Sequence, residues 1–225
     1  MFSFKRLFSF VPEMKTPIEY SDKQIAIINA AEKLFAEKGF DGASVRDIAQ
    51  EADVNVAMIS YYFGSKEKLM EAVFEERTAK MKMKVENLLQ DKAITPLQKV
   101  FILIDDYVDK FIHQSQFHKI MMREQMINKQ SPVADLIHQL KKRNLESIKI
   151  LIQEGQKSGA FKKNIDIVLM MVTMVGTVSQ MLTSQHFYRK MYSLEDMDEL
   201  EFQKHIRKKL STHLKNLFKQ MITNE

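Results

Sequence analysis

The chain of 225 residues is 45% hydrophobic and 28% charged, proportions typical of a globular protein with one large or two small domains. It has no cysteine, which excludes a disulfide framework, a thiolate nucleophile and a cysteine-bound zinc site, and is consistent with a reducing cytoplasm. Its six glycines and four prolines are few, which favours long helices.

The formal net charge of +5 does not by itself indicate a nucleic-acid-binding region. Residues 1–80 contain 11 Lys and Arg against 13 Asp and Glu, a net charge of −2, so the positive charge lies in the remainder. Any phosphate-binding surface in residues 1–80 must therefore be local, built from single side chains such as Arg46 and Lys66.

The first twenty residues are aromatic and are interrupted by Pro12 and Pro17. Their apolar run is too short and too broken for a membrane-spanning helix, and it lacks a signal-peptide cleavage pattern. We expect residues 1–20 to form a flexible N-terminal arm. An alternative role for this arm is to reach the DNA minor groove through Lys5 and Arg6.

Side chains that can cap a helix mark the next predicted helix starts, because they accept a hydrogen bond from a first-turn N–H group. Ser21 and Gln24 have the spacing of a reciprocal capping box. Ser44 and Asp47 have the same spacing. Gly39 is a typical helix end. The predicted helices follow Ser21, Ser44, Asn55 and Ser65, and the last of them runs to about Gln90.

Five further helices are predicted after residue 90, because apolar residues recur at helical spacing behind start signals such as Thr95-Pro96 and Ser131-Pro132. No segment of the sequence alternates with period two for long enough to indicate a strand. The chain is therefore predicted to be all-α, with about nine helices. The five are expected near residues 95–112, 117–128, 131–155, 165–189 and 195–221.

The helices after Ser44 and Asn55 are short and flank the tight turn Asp53-Val54-Asn55, which is the arrangement of a helix-turn-helix. The second helix of this motif can lie in the DNA major groove, where small residues such as Ala57 and Ser60 let the backbone approach base edges. The alternative interpretation is an ordinary helical hairpin whose tyrosines are half-buried in its core. Spacing alone leaves both interpretations open.

Together with the preceding segment AAEKLFAEKGFDGAS, this stretch resembles the DNA-binding headpiece of the TetR family of bacterial transcriptional regulators. The match covers roughly a fifth of the chain. Three positions depart from the family pattern: Asp53 replaces a usual glycine, Asn55 a usual serine, and Ser60 a common aromatic residue. The matching residues are Ala31, Leu34, Phe35, Gly39, Phe40, Ser44, Ile48, Ala49, Ala52, Val54, Ile59, Tyr62, Phe63, Lys66, Glu67 and Leu69.

The resemblance implies a helix-turn-helix DNA-binding domain at residues 21–69 and a helical regulatory and dimerisation domain at residues 70–225. It implies a cytoplasmic bacterial repressor that acts as a homodimer through its last two helices. The implied partners are double-stranded operator DNA and a small-molecule effector, with no membrane. Most interface residues are expected to face base edges, while Tyr62 and Lys66 hold phosphates. The implied DNA-binding residues are Ser44, Arg46, Val56, Ala57, Ser60, Tyr61, Tyr62 and Lys66.

The second half of the chain is rich in methionine, whose adaptable side chain suits a pocket for apolar ligands. Core packing or a helix–helix seam is the alternative explanation for most of these methionines. Arg123 is the candidate anchor for an acidic group of a ligand. The candidate pocket residues are Phe101, Ile104, Tyr107, Phe111, Met121, Arg123, Met126 and Met174.

No cofactor, metal site or enzyme active site is expected from sequence motifs. The six histidines include no pair spaced by four residues and no HExxH motif, so we expect them to be solvated or to cap helices. Two other classes stay open. One is a ligand-independent DNA-binding or interaction protein, which would have no internal cavity. The other is an all-helical enzyme, for which the carboxylates of Asp105, Asp106 and Asp109 would have to cluster.

Overall fold

The computed structural model describes residues 19–127 and 131–224, and over these ranges it confirms an all-α protein. The described residues form ten helices, one more than predicted, and no strand. The arm predicted at residues 1–20 lies almost wholly outside the described residues. The helices are α1 (Asp22–Gly42), α2 (Val45–Glu51), α3 (Val56–Phe63), α4 (Lys66–Gln90), α5 (Pro96–His113), α6 (Ser115–Ile127), α7 (Pro132–Lys157), α8 (Ile167–Thr183), α9 (Gln185–Met191) and α10 (Glu199–Ile222).

The predicted caps of the first four helices are confirmed. Ser21 and Gln24 form the reciprocal capping box. At α2 the Ser44 side chain caps the helix, but Asp47 does not complete the reciprocal box. Its carboxylate instead accepts a hydrogen bond from Lys38 Nζ at 3.0 Å. First-turn N–H groups donate to the side chains of Ser21, Ser44, Asn55 and Ser65.

The prediction of a single helix at residues 165–189 is wrong, because the chain bends by 71° between α8 and α9. At the break, the hydroxyls of Thr183 and Ser184 donate to backbone carbonyl oxygens one turn earlier, at 2.9 and 2.7 Å. Such bonds compete with the helical backbone pattern and bend helices. Over the described ranges, no single helix is long and apolar enough to cross a membrane, although α8 and α9 pass that test together as a bent pair.

Two hydrophobic cores occupy the described part of the chain. The first joins helices α1–α4, and it also includes Phe117 and Ile120 of α6 and Val133 and Ile137 of α7. The second is built mainly from α5, α7, α8 and α10. The helix-turn-helix therefore rests directly on helices of the second half, which places α6 and the start of α7 between the two cores.

Helix α10 forms one wall of the second core. It begins at Glu199, four residues later than predicted, after the N-cap residue Asp198. Its buried side chains recur at helical spacing and pack with α5. They are Phe202, Ile206, Leu210, Leu214, Phe218 and Ile222.

The three aspartates of α5 do not form a carboxylate cluster of the kind an enzyme would need. Each pairs with a basic side chain of a neighbouring helix, so its charge is matched by a cation. These contacts border the packing of α5 on α4 and α10. The pairs are Asp105 with Lys215, Asp106 with Lys84, and Asp109 with Arg207.

Candidate nucleic-acid interface and effector region

Helix α3 presents one exposed face, as expected of a helix that enters a DNA groove. Its Ile59 is buried in the first core, which fixes the orientation of the helix on α1 and α2. Tyr61 is 83% exposed, far more than a tyrosine that contributes to a core. The hairpin interpretation with two core tyrosines is therefore wrong for Tyr61. The exposed residues of this face are Val56, Ala57, Ser60 and Tyr61.

Helix α2 contributes two of the predicted interface residues. The Ser44 hydroxyl accepts a hydrogen bond from the Asp47 N–H at 3.1 Å, so its first role is to cap the helix. Arg46 is exposed and makes no ion pair with any described residue. Its guanidinium group is therefore free to bond both acceptors of a guanine edge.

Tyr62 and Lys66 are only partly exposed. The ring of Tyr62 packs against the first core and lies edge-on to the rings of Tyr61 and Phe63, at centroid distances of 5.2 and 6.4 Å. Lys66 Nζ donates hydrogen bonds to the carbonyl oxygens of Phe40 and Ala43, at 3.0 and 3.2 Å. Lys66 therefore satisfies carbonyl oxygens at the C-terminal end of α1. If it also contacts a phosphate, as predicted, its ammonium must bond the phosphate and these two carbonyl oxygens together.

The turn between α2 and α3 depends on an unusual conformation of Asp53, whose φ is 52°. Its N–H donates to the carbonyl oxygen of Gln50 at 3.2 Å, and the N–H of Val54 donates to that of Ala49 at 3.0 Å. These two bonds make a Schellman motif, which places the residue after the cap in the left-handed region that favours glycine. In the sequence, this left-handed conformation is indicated by Asp53 at a position where the family usually has glycine.

Five of the predicted pocket residues belong to the second core, namely Phe101, Ile104, Tyr107, Phe111 and Met174. Two of them, Ile104 and Met174, line a wholly apolar gap between α5, α7, α8 and α10. Its volume of about 30 Å³ is far below the roughly 300–1,000 Å³ of a small-molecule pocket. An effector can therefore enter this region only if the helices move apart.

The other three predicted pocket residues lie elsewhere, so grouping them in one pocket was wrong. Met121 packs against the first core, and Met126 is 77% exposed. Arg123 does not face a pocket, because its Nη1 donates to the carbonyl oxygen of Glu37 at 3.1 Å. The reason is that α6 lies along α1 instead of facing the second core over its whole length.

The neighbouring residue Glu124 was missed by sequence reasoning. Its carboxylate is buried and accepts a hydrogen bond from the N–H of Phe40 at 3.3 Å. Arg123 and Glu124 therefore hold the C-terminal end of α1 from α6. The two partners are more than 80 residues away in sequence, so no local pattern could have indicated these contacts.

His118 contradicts the expectation that the histidines are solvated or cap helices. Its ring stacks on that of Phe111 with centroids 3.7 Å apart. Burial, together with the positive charge of Lys110, lowers the pKa of His118 to about 3, so the ring is neutral at physiological pH. Among the described residues, no three His, Asp or Glu side chains come together as a metal site would require.

Two family profiles match this chain. The profile of the bacterial regulatory proteins of the tetR family matches residues 27–73, which include the helix-turn-helix. The profile of the tetracyclin repressor-like C-terminal domain matches residues 96–212, which is more than half of the chain. The two matches together cover most of both cores but leave out residues 74–95, which include most of α4, and the end of α10.

Individual relatives agree with these profiles. The probable HTH-type transcriptional regulator YttP of Bacillus subtilis is 32% identical over 132 residues, 58% of this chain and 63% of its own length. The fatty acid metabolism regulator protein of Bacillus subtilis is 26% identical over 174 residues, 76% of this chain and 88% of its own length. The transcriptional regulator FadR from Bacillus subtilis, in complex with stearoyl-CoA, has the same fold: its TM-score is 0.58 at 21% identity, covering 83% of this chain and 97% of that one.

The exposed face of α3 and the capped turn before it lie within the first matched range, and most of the helical second half lies within the second. The chain belongs to the TetR family of bacterial regulatory proteins, the family of DNA-binding transcriptional regulators that its helix-turn-helix resembles.

Proposed function

We propose that this TetR-family regulator represses transcription by binding operator DNA as a homodimer in the bacterial cytoplasm, and leaves the DNA when a small-molecule effector binds. The observation that carries the proposal is the exposed face of α3, with Tyr61 and Ser60 free to meet base edges. In this proposal Arg46 reads a base, and Tyr62 and Lys66 contact phosphates. Two headpieces that read successive major grooves lie about 34–36 Å apart along the DNA.

The DNA-binding part is tested by selecting operators from random duplexes with the full chain. We expect the wild type to enrich a palindrome, because a symmetric dimer reads two half-sites. Ser60→Glu places a negative charge on the face of α3 and should abolish enrichment. Gln153→Glu, a change at an exposed residue of α7, is the control and should leave enrichment intact. Enrichment of the same palindrome by Ser60→Glu would contradict the assigned face.

The dimer part of the proposal is supported by an apolar stripe on α8. Its four side chains are between 37% and 61% exposed and recur at helical spacing, which is unusual for a surface that stays in water. Met170, on the same helix, is instead buried within its own protomer. A second copy of α8 fits a self-complementary contact of this kind. The stripe consists of Val168, Leu169, Val172 and Val175.

A point substitution tests the dimer better than removal of the chain end. Deleting residues 190–225 would remove α10 and with it a wall of the second core. Val172→Glu instead places a charge in the middle of the stripe. We expect sedimentation at micromolar concentration to show a monomer with unchanged helicity and with operator binding lost. Ile150→Glu, at an exposed apolar residue of α7, is the matched control and should remain dimeric.

The effector part of the proposal rests on the relatives and on the apolar lining of the second core. One relative is a regulator of fatty acid metabolism, and a protein of the same fold was crystallised with stearoyl-CoA. We therefore propose an acyl-CoA or a related fatty acid derivative as the effector, with its chain in the region of Ile104 and Met174. Through α6, whose Arg123 and Glu124 hold the end of α1, a shift of the second core would move the headpiece.

Operator titrations with and without stearoyl-CoA test this part. We expect the acyl-CoA to weaken operator binding about 5- to 150-fold, and the operator to weaken acyl-CoA binding by the same factor. Met174→Trp should fill the gap and remove the response, whereas Met191→Trp on the exposed surface of α9 should keep it. The small size of the gap favours the ligand-independent alternative. An unchanged operator affinity with stearoyl-CoA would support that alternative.

A further inference from the structure

The end of α1 is held from two sides at one residue, Phe40. On one side, the buried carboxylate of Glu124 in α6 accepts a hydrogen bond from the Phe40 N–H at 3.3 Å. On the other side, Lys66 Nζ at the start of α4 donates to the Phe40 carbonyl oxygen at 3.0 Å and lies 4.5 Å from the centroid of the Phe40 ring. Helices α1, α4 and α6 therefore meet at the backbone of a single residue.

A turn of the chain at Gly39 makes this meeting possible. Gly39 has φ 80° and ψ 169°, so α1 leaves the helical conformation there, in a region that favours glycine. A Cβ at this position would also lie 2.8 Å from Arg123 Nε, which means that a larger residue would push α6 away. The break in α1 lets the Phe40 N–H donate to Glu124.

The ammonium of Lys66 has one donor left for a further partner. A lysine ammonium carries three N–H donors, and the carbonyl oxygens of Phe40 and Ala43 take two of them, at 3.0 and 3.2 Å. The stem of a lysine is flexible, and ordering it opposes binding. Because these two oxygens already hold the Lys66 ammonium, the direction of its third donor is set before any phosphate arrives.

We infer that Glu124 is a positioning residue for Lys66: its carboxylate fixes the Phe40 backbone, and this backbone holds the ammonium where its third donor can reach a DNA phosphate. The inference deepens the proposed function, on which it rests for the phosphate contact. Glu124 itself touches no DNA and acts only through Phe40 and Lys66. Loss of the contact between Glu124 and Phe40 should weaken binding to all sequences alike, because a phosphate contact carries no base preference.

Helix α6 is also tied to the regulatory half of the chain. Met122, two residues before Glu124, accepts a hydrogen bond at its Sδ from the Ser179 hydroxyl of α8 at 3.7 Å. Helix α8 contributes to the second core. A change in the packing of α6 on α8 would therefore act on the Phe40 N–H through one helix. This gives effector release a route that lowers operator affinity without altering which bases are read.

Two substitutions of Glu124 separate the reach of its side chain from its charge. Glu124→Asp keeps the charge but is one methylene shorter, so it should lose the bond to Phe40, whereas Glu124→Gln keeps an oxygen at the same reach. Each full-length variant is titrated with a mixed-sequence DNA duplex at several salt concentrations. The slope of log affinity against log salt should fall by about 0.9 for Glu124→Asp, the value of one phosphate contact, and stay unchanged for Glu124→Gln. Because the loss grows as salt is lowered from 1 M, binding at 0.15 M salt should weaken about fivefold.

A double variant and a packing variant are the controls. Glu124→Asp with Lys66→Met should have the slope of Lys66→Met alone, because both changes remove the same contact. Ile120→Ala loosens α6 at a residue buried in the first core, without removing a hydrogen bond to Phe40, and should keep the slope. The inference is overturned by an unchanged slope in Glu124→Asp, by a fall in Glu124→Gln alone, by an equal fall in Ile120→Ala, or by additive falls in the double variant.

Urea unfolding without DNA separates this inference from the proposed function. Glu124 and Lys66 hold the same residue, so the losses in unfolding midpoint of Glu124→Asp and Lys66→Met should be less than additive in the double variant. Absence of duplex binding by the wild type would contradict the proposed function, while losses that are less than additive would still support the positioning role. Additive losses would overturn the positioning role, and operator binding by the wild type would leave the proposed function standing.

Discussion

Lys66 and Phe40 meet through both the side chain and the backbone. The ammonium lies 4.5 Å from the centroid of the Phe40 ring, and it donates to the Phe40 carbonyl oxygen at 3.0 Å. A second bond reaches the carbonyl oxygen of Ala43. The first residue of α4 thus holds the last turn of α1, on which the helix-turn-helix is mounted.

Lys66→Met should therefore destabilise the protein, and not act only on DNA. We expect the free energy of unfolding to fall by about 1–3 kcal/mol, because two carbonyl oxygens lose a charged donor. If Lys66 also holds a phosphate, the slope of log affinity against log salt should fall by about 0.9 for that contact. Urea unfolding and operator titrations over several salt concentrations measure the two effects.

Lys68→Met is the control for stability, since Lys68 is exposed and its ion pair with Glu71 should contribute less than about 1 kcal/mol. Equal unfolding midpoints for Lys66→Met and the wild type would show that the contacts to α1 are not stabilising. An unchanged salt slope would remove Lys66 from the phosphate contacts.

Arg46→Ala should relax base preference at one position of each half-site. An arginine fork on a guanine edge discriminates by roughly 1–3 kcal/mol, and Arg46 has no competing ion pair in the described structure. Competition binding on single-base operator variants measures the effect. Lys23→Ala, an exposed change on α1, is the control and should keep the preference. If the preference survives in Arg46→Ala, another side chain reads that base.

Asp53→Gly should stabilise the helix-turn-helix. The φ of 52° costs an ordinary side chain about 1 kcal/mol or more, which glycine avoids, although glycine loses more entropy on folding. We expect a net gain of about 0.5 kcal/mol in urea unfolding. Asp53→Ala is the comparison: it keeps the strain and loses the local hydrogen bonding of aspartate, so it should unfold earlier than the wild type. The reverse order of the two variants would refute this account of the turn.

The buried ion pair between Lys99 and Glu154 predicts a large loss of stability. The Lys99 side chain is 0% exposed, its Nζ lies 2.9 Å from Glu154 Oε2, and it also donates to the Leu89 carbonyl oxygen at 3.3 Å. Glu154→Ala leaves this ammonium with one acceptor and should cost about 3 kcal/mol. Replacing both residues, Lys99→Met with Glu154→Leu, should restore most of that loss.

Glu146→Ala is the control on the same helix, because Glu146 pairs with Lys149 at the exposed surface. Its effect in urea unfolding should stay below about 1 kcal/mol. A Glu154→Ala variant as stable as Glu146→Ala would mean that water or another acceptor reaches Lys99.

The local features of this protein follow from the sequence. Caps such as Ser21, Asn55 and Ser65, and the periodic apolar faces behind them, involve residues only a few positions apart. The chain itself brings such residues together, so all-α architecture, the helix-turn-helix and the positions of most helices could be predicted. The exposed face of α3 could be predicted because the family motif fixes it relative to the buried Ile59.

The partners of individual side chains could not be predicted in this way. Arg123 and Glu124 contact the end of α1 across more than 80 residues, and Lys99 meets Glu154 across 55 residues. The sequence shows that Met170 is apolar, but only packing decides that it is buried while Val172 faces outward. Helical periodicity determines which residues share a face; the other helices, joined through distant contacts, decide which face is covered.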